Sequence, residues 1–176
     1  DLETPLSVYL KLADGPYSYL FESVQGGEKW GRYSIIGLPA SKIYKISGNS
    51  VILEENGRII SEDSVQDPIS YIDSLQNQFN VAEIDGLPRF FGGLVGYFGY
   101  DTVRYIEPKL ENCPNPDLIG APDILLMVSD EVVVFDNLSG RMFVVVHAEP
   151  QKGDTFESSQ NRLNDIIDQM HQPLER

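Results

Sequence analysis

Short β-prone runs separated by tight-turn residues constrain this chain more than any other feature. The runs cover residues 43–46, 51–53 and 58–60, and Gly48-Asn49 and Asn56-Gly57 stand between them. Asn and Gly tolerate the backbone conformations that two-residue hairpin turns require. The pattern therefore predicts an antiparallel meander, and residues 132–135 and 142–146, on either side of the turn 136–140, predict a further hairpin.

Three segments predict helices. Thr4-Pro5 offers an N-cap hydroxyl followed by proline at the first helical position, and this helix should run to about Ala13. Asp67-Pro68 and Thr155 should cap the other two. Apolar residues at spacings of three and four predict the inner faces of these two helices: Ile69, Ile72, Leu75 and Phe79 in the second, and Phe156, Leu163, Ile166, Ile167 and Met170 in the third.

The remaining apolar segments predict strands at residues 17–21, 32–36, 90–100 and 124–128. The third of these contains Gly92, Gly93, Gly96 and Gly99, which predict a buried strand that another backbone passes closely. Eight or nine mostly hairpin-linked strands with three helices exclude a strict βαβ alternation. We expect an α+β fold with mainly antiparallel sheets and flanking helices.

Charge and composition exclude several classes of partner. The chain has 27 Asp and Glu against 13 Lys and Arg, a formal net charge of −14, so it lacks the basic face that binds nucleic acid or an anionic membrane. One cysteine, Cys113, and two histidines make neither an internal disulfide nor a zinc set. No apolar stretch approaches the roughly 20 residues that cross a bilayer. We expect a cytoplasmic protein, cut from a longer polypeptide because it begins at Asp1 without Met.

No catalytic or metal-binding set is predicted. The glycines at 92–99 lack the Lys and Ser/Thr of a phosphate loop, and Cys113 lies among prolines. His147 and His171 are interpreted as structural residues. Three carboxylates near the later hairpin lack the spacing of a calcium loop and are expected on a solvated rim: Asp130, Glu131 and Asp136.

One constellation could bind a small molecule. Glu22-Ser23 ends one predicted strand and Arg32 begins the next. A carboxylate, a hydroxyl and a guanidinium at adjoining strand ends could hold the ammonium and carboxylate groups of a free amino acid. The alternative is an exposed Glu–Arg pair that caps a hairpin.

Three sequence blocks resemble a known family. They are LFESV at 20–24 with GEKWGRYSIIG at 27–37, GGLVGYFGYD at 92–101, and PDILLM at 122–127 with VVVFD at 132–136. Together they resemble the N-terminal region of anthranilate synthase component I, a chorismate-utilising enzyme. Aminodeoxychorismate synthase component I shows looser versions, whereas Tyr97 and residues 101–105 are more similar to the anthranilate family.

The resemblance implies that residues 1–176 are a single N-terminal regulatory domain without the C-terminal catalytic portion. With the hairpin signals, it also predicts orthogonally packed sheets. The intact family converts chorismate and ammonia, supplied by a glutamine amidotransferase subunit, to anthranilate and pyruvate with Mg²⁺. This is the committed step toward tryptophan. The fragment alone is expected to be inactive and without a cofactor.

The resemblance also implies a feedback site for tryptophan. The family's Leu-x-Glu-Ser motif matches Leu20, Glu22 and Ser23, and the basic residue that follows is matched by Arg32, with Lys29 as a competitor. In the family the C-terminal portion completes this pocket. Two other functions stay open at this stage: a free-standing amino-acid-binding module, and a scaffold that docks the amidotransferase.

Overall fold

The computed structural model describes residues 3–23, 31–82, 84–110 and 117–174. Over these residues the chain forms nine strands and three α-helices, which confirms the predicted α+β class. The strands are β1 (Tyr19–Glu22), β2 (Tyr33–Gly37), β3 (Lys42–Ser47), β4 (Ser50–Glu55), β5 (Arg58–Ser64), β6 (Gly93–Phe98), β7 (Ile124–Ser129), β8 (Glu131–Asp136) and β9 (Arg141–Val146). The helices are α1 (Pro5–Leu12), α2 (Pro68–Gln76) and α3 (Phe156–His171), with 3₁₀ helices at Tyr100–Tyr105, Pro108–Leu110 and Pro150–Lys152.

The chain divides into two compact units. The first comprises the described residues within 1–40, 84–93 and 129–176, and the second those within 41–83 and 94–128. The first unit holds a sheet of order β1-β2-β8-β9 with antiparallel register between neighbours. Its core joins buried side chains of the sheet to those of α1 and α3: Val8, Leu12, Ala13, Ile36, Leu38, Val133, Ile166 and Met170.

Local capping fixes the ends of α1 and α3. Thr4 accepts a hydrogen bond from the backbone N–H of Ser7, whose side chain accepts one in return from the backbone of Thr4, and Thr155 and Ser158 repeat this arrangement. Both predicted helix starts are therefore confirmed. The inner face predicted for the third helix is wrong at Phe156, which is 86% exposed, and at exposed Ile167. Only Ile166 and Met170, four residues apart, lie in the core.

The second unit contains the predicted meander. Its sheet has the order β5-β4-β3-β7-β6, and β3, β4 and β5 pair antiparallel. Asn56 and Gly57 both have positive φ, as a two-residue hairpin turn requires. Asp67 caps α2 by accepting from Ile69 and Ser70. Phe79 lies beyond the end of α2 and is exposed, so its predicted place on the inner face is wrong.

The glycine-rich segment forms β6, which lies at the edge of its sheet. The close backbone approach is confirmed at Gly96, because a Cβ there would collide with the carbonyl of Leu125. The predicted burial is wrong, since Gly93 and Gly96 are both exposed. The apolar sequence indicated a covered strand, but among the described residues no strand pairs with its outer side.

No α-helix in the described part of the chain is long and apolar enough to cross a membrane. The linker-like stretch at 112–117 lies outside the described residues, apart from Asp117, and so does Cys113.

Candidate functional site

The residues predicted to bind an amino acid lie at one end of the β1–β2 hairpin. Leu20 and Glu22 belong to β1, Ser23 follows it directly, and Arg32 immediately precedes β2. The antiparallel register pairs Glu22 with Ser34, so the end of β1 and the start of β2 lie side by side at the same end of the hairpin. The competitor Lys29 lies outside the described residues.

Alternation along β1 separates its side chains onto two faces. Leu20 is partly buried and packs against the core of the first unit. Glu22, on the same face, is exposed, and so is Ser23. On the other face the rings of Tyr19 and Phe21 have centroids 4.7 Å apart, and the Tyr19 hydroxyl lies 2.8 Å from Oγ of Ser129. Leu20 thus anchors the strand, while Glu22 and Ser23 face solvent.

Arg32 is held by a carboxylate from a distant part of the chain. Its Nε and Nη2 donate to Oδ1 and Oδ2 of Asp136 at 2.9 and 2.6 Å. The Asp136 side chain is only 5% exposed, whereas that of Arg32 is 42% exposed. The guanidinium beside Asp136 lowers the pKa of that carboxyl well below its usual range, and the carboxylate raises the pKa of Arg32.

The turn after β8 fixes the start of β2 at several more points. The backbone N–H of Asn137 donates to the Arg32 carbonyl at 2.7 Å, and the Asn137 side chain donates to the Gly31 carbonyl and the Ser34 hydroxyl. Oδ1 of Asp136 also accepts from the backbone of Leu138 and Ser139. Hydrogen bonds from the β8–β9 turn therefore hold the segment that carries Arg32 in place.

Arg32 keeps donors for a ligand. A guanidinium has five N–H groups, of which Asp136 takes two in one planar fork. Within the described residues, the hydrogen bonds of the Arg32 guanidinium involve its Nε and Nη2. The Arg32 Cζ also lies 4.9 Å from the centroid of the Tyr33 ring, a second contact that restricts its position. The arrangement can present an oriented N–H pair to a carboxylate.

The solvated rim predicted for the carboxylates of the later hairpin is wrong for two of them. Asp136 is buried and bonded to Arg32, so the simple hairpin-capping pair between Glu22 and Arg32 is not formed within the described residues. Glu131 accepts from Nε and Nη2 of Arg162 at 2.6 and 2.7 Å. Sequence analysis missed both pairs because each joins segments that are remote along the chain. The pairing of β2 with β8 brings Arg32 to Asp136, and the packing of α3 against the sheet brings Arg162 to Glu131.

The structural interpretation of His147 is confirmed. Its Nε2 lies 2.7 Å from the Phe91 carbonyl, and its ring stacks on the Phe91 ring with centroids 5.7 Å apart. A Cβ on Gly92 would lie 2.5 Å from the same Nε2. His147 thus holds the segment before β6 in place, and its Nε2 is engaged by the Phe91 carbonyl.

A separate cavity of about 440 Å³ lies in the second unit. Asp123 organises one wall, because its Oδ2 accepts from the Gly48 N–H at 2.9 Å and from the Tyr105 hydroxyl at 2.5 Å. Burial of the Tyr105 hydroxyl raises its pKa well above the usual range, and the nearby Asp123 carboxylate raises it further. None of the four predicted binding residues lines this cavity.

Over the described ranges, no three His, Cys, Asp or Glu side chains are placed to hold a metal ion together. In the first unit Asp136 and Glu131 are paired with arginines, and Glu3 and Glu149 are paired with lysines. These residues therefore do not fit a magnesium site.

Comparison with known proteins gives close matches over the whole chain. It is 54% identical over 174 residues to anthranilate synthase component 1 of Pseudomonas putida, a match that covers 99% of this chain and 35% of that protein. It is 52% identical to anthranilate synthase component 1 of Pseudomonas aeruginosa with the same coverage. No family model matches the chain.

A solved structure shows the same fold. The crystal structure of anthranilate synthase component I from Streptococcus pneumoniae aligns with a TM-score of 0.64 and 24% identity, over 98% of this chain and 36% of that one. The chain thus spans about a third of the length of the relatives that it matches.

Proposed function

We propose that this chain, which is similar to anthranilate synthase component 1 over the part that it spans, is the N-terminal regulatory domain of such a subunit. The observation that carries this proposal is the 54% identity over 99% of the chain. Both Pseudomonas relatives are anthranilate synthase component 1, which favours this function over that of aminodeoxychorismate synthase.

The intact subunit would convert chorismate and ammonia to anthranilate and pyruvate. The ammonia would come from a glutamine amidotransferase subunit. The magnesium and chorismate sites would belong to the portion of the subunit outside this chain, since no three His, Cys, Asp or Glu side chains of the described residues are placed to hold a metal ion. The role of residues 1–176 would then be regulatory.

The regulatory ligand in this proposal is L-tryptophan, bound at the open end of the β1–β2 hairpin. Glu22 offers a carboxylate to the ammonium group, and Ser23 offers a hydroxyl. Arg32 offers N–H groups of a guanidinium that Asp136 and Tyr33 already orient. Such preorganisation supports the assignment, because less side-chain freedom is lost when a carboxylate binds.

Feedback inhibition would follow from a difference in affinity between two arrangements of the subunit. If the remaining portion of the subunit completes the pocket, tryptophan binds more tightly to the arrangement in which the pocket is closed. It then shifts the population toward that arrangement, and inhibition is limited by the ratio of the two affinities.

The test is a pair of measurements on the full-length subunit with its amidotransferase. Anthranilate formation is followed by fluorescence against chorismate, and then against tryptophan at fixed chorismate. Turnover that tryptophan suppresses supports the proposal, whereas turnover that tryptophan leaves unchanged removes the regulatory part of it. Calorimetric titration of tryptophan into the 176-residue chain separates a free-standing module, which binds alone, from half a site, which does not.

A further inference from the structure

The charges at the open end of the β1–β2 hairpin do not cancel. Arg32 carries a positive charge there, while Glu22 and Asp136 are both acidic. The pKa of Asp136 is held well below its usual range, mainly by Arg32, so this carboxyl is ionised at neutral pH. These three residues therefore have one carboxylate in excess.

Asp136 balances the charge of Arg32 at close range. Its two oxygens accept from the guanidinium at 2.9 and 2.6 Å, and its side chain is only 5% exposed. Because water screens a buried charge poorly, the field of Asp136 extends to the outer side of the guanidinium. A ligand carboxylate that binds there meets a cation that is already paired, with a second carboxylate behind it.

Glu22 is the carboxylate in excess. It ends β1 and is exposed, and Arg32 is already paired with Asp136. Arg141 stands opposite Asp136 in the register, but it lies on β9, three strands from β1. At the usual strand spacing this is a distance of about 14 Å from β1, which exceeds the Debye length of about 8 Å at physiological salt.

We infer that the regulatory site selects its ligand by the ammonium group, and that the carboxylate of the ligand is secondary. The inference rests on the proposed function, which places tryptophan at this hairpin end. When the remaining portion of the subunit closes the pocket, water is excluded and a charge without a counter-charge becomes costly. Arg32 already has its counter-charge, so the ligand supplies the cation for Glu22. The site should accept an indole amine without a carboxylate and reject an indole acid without an ammonium group.

Two analogues of tryptophan test this inference in the full-length subunit with its amidotransferase. Tryptamine lacks the carboxylate and indolepropionate lacks the ammonium group, so each analogue removes one charged group from the same indole side chain. Calorimetric titration at neutral pH gives the dissociation constants of both analogues and of L-tryptophan. Competition with L-tryptophan shows that each analogue binds at the same site.

We expect tryptamine to bind at least about tenfold more tightly than indolepropionate, because a closed site tolerates the loss of one contact to a paired cation better than an unpaired charge. A smaller ratio, the reverse order, or no detectable binding of tryptamine at the tryptophan site would overturn the inference.

Two variants assign the preference to individual charges. Glu22→Gln removes the excess carboxylate and should lower the affinity ratio of tryptamine to indolepropionate by about tenfold or more. Asp136→Asn should also lower this ratio, because indolepropionate then meets a guanidinium without its counter-charge. Glu131→Gln is the control, since it removes a negative charge at the other end of β8 and should leave the ratio unchanged. Equal shifts in all three variants would attribute the preference to the overall charge of the chain, and this result, like a ratio that Glu22→Gln leaves unchanged, would overturn the inference.

The inference and the proposed function are lost on different results. If L-tryptophan binds and inhibits but the two analogues bind equally, only the role of the ammonium group is lost. If L-tryptophan neither binds nor inhibits the subunit, the proposed regulatory function is lost, and the inference with it.

Discussion

Arg32 and Asp136 are 104 residues apart in sequence and form a two-point hydrogen-bonded ion pair, with Nε–Oδ1 and Nη2–Oδ2 distances of 2.9 and 2.6 Å. The pair links the hairpin that carries Glu22 and Ser23 to the turn after β8. It is more than a surface contact, because the Asp136 side chain is buried and also accepts from the backbone of its own turn. Asp136 therefore controls the orientation of the one described basic residue among the predicted binding residues.

Asp136→Asn in the full-length subunit should raise the tryptophan concentration for half-inhibition several-fold. The amide cannot accept both N–H groups of Arg32, so the guanidinium loses its fixed orientation. Uninhibited turnover should change little. Inhibition curves with saturating chorismate measure the effect.

Glu131→Gln is the matched control for Asp136→Asn. It breaks a second two-point arginine pair on the same strand, that with Arg162, away from the predicted binding residues. Half-inhibition should stay at the parent value in this variant. An equal shift in both variants would indicate a general loosening of β8 instead of a positioning role for Asp136.

Ser23→Ala should weaken tryptophan binding several-fold, since one neutral hydrogen bond contributes about 0.5–1.5 kcal/mol. Arg32→Ala should weaken it further, because the lost contact is charge-assisted. Both variants should keep near-normal turnover without tryptophan. If tryptophan inhibition is unchanged in both variants, or if turnover without tryptophan falls as much as inhibition does, Ser23 and Arg32 have only a structural role.

Local features of the fold were predictable from the sequence, and long-range ones were not. The hairpin at Asn56-Gly57 and the caps at Thr4, Asp67 and Thr155 depend on neighbouring residues, so a short window contains their cause. The pairing of β2 with β8 has no local signal. Asp136 was therefore predicted to be solvated, although the strand order places it against Arg32. The edge position of β6 was missed for the same reason.

The β1–β2 pairing depends on a glycine beneath a tyrosine ring. Tyr19 lies directly opposite Gly37, and a Cβ at Gly37 would collide with the Tyr19 ring. Gly37→Ala should therefore destabilise the 176-residue chain by about 1–3 kcal/mol in urea unfolding. The cost should fall substantially in a Tyr19→Leu background, since residues in contact are non-additive. Equal costs in both backgrounds would place the strain elsewhere.

Gly96→Ala should also destabilise the chain by about 1–3 kcal/mol, because a Cβ would collide with the backbone of β7 at Leu125. Gly15→Ala is the control: neither glycine has positive φ, and a Cβ at Gly15 would meet only Pro39 at 3.7 Å. Urea unfolding of both variants measures the difference. A cost at Gly15 equal to that at Gly96 would show that the effect is not steric.

The Arg32–Asp136 pair should also make stability depend on pH in a defined window. The pKa of Asp136 is lowered in the folded chain, mainly by Arg32, whereas an unfolded Asp titrates near pH 3.9. The stabilisation is therefore fully present above about pH 4 and is lost as the pH falls through the lower folded pKa. The free energies of unfolding of the wild-type chain and of Asp136→Asn should differ by a constant amount between pH 5 and 8, and this difference should shrink below about pH 4.

The pKa values of Glu3, Asp67 and Asp117 are also lowered, but these groups are common to both proteins and cancel in the difference. Urea unfolding at several pH values tests this directly, and a difference that already disappears between pH 7 and 5 would contradict the assignment to Asp136.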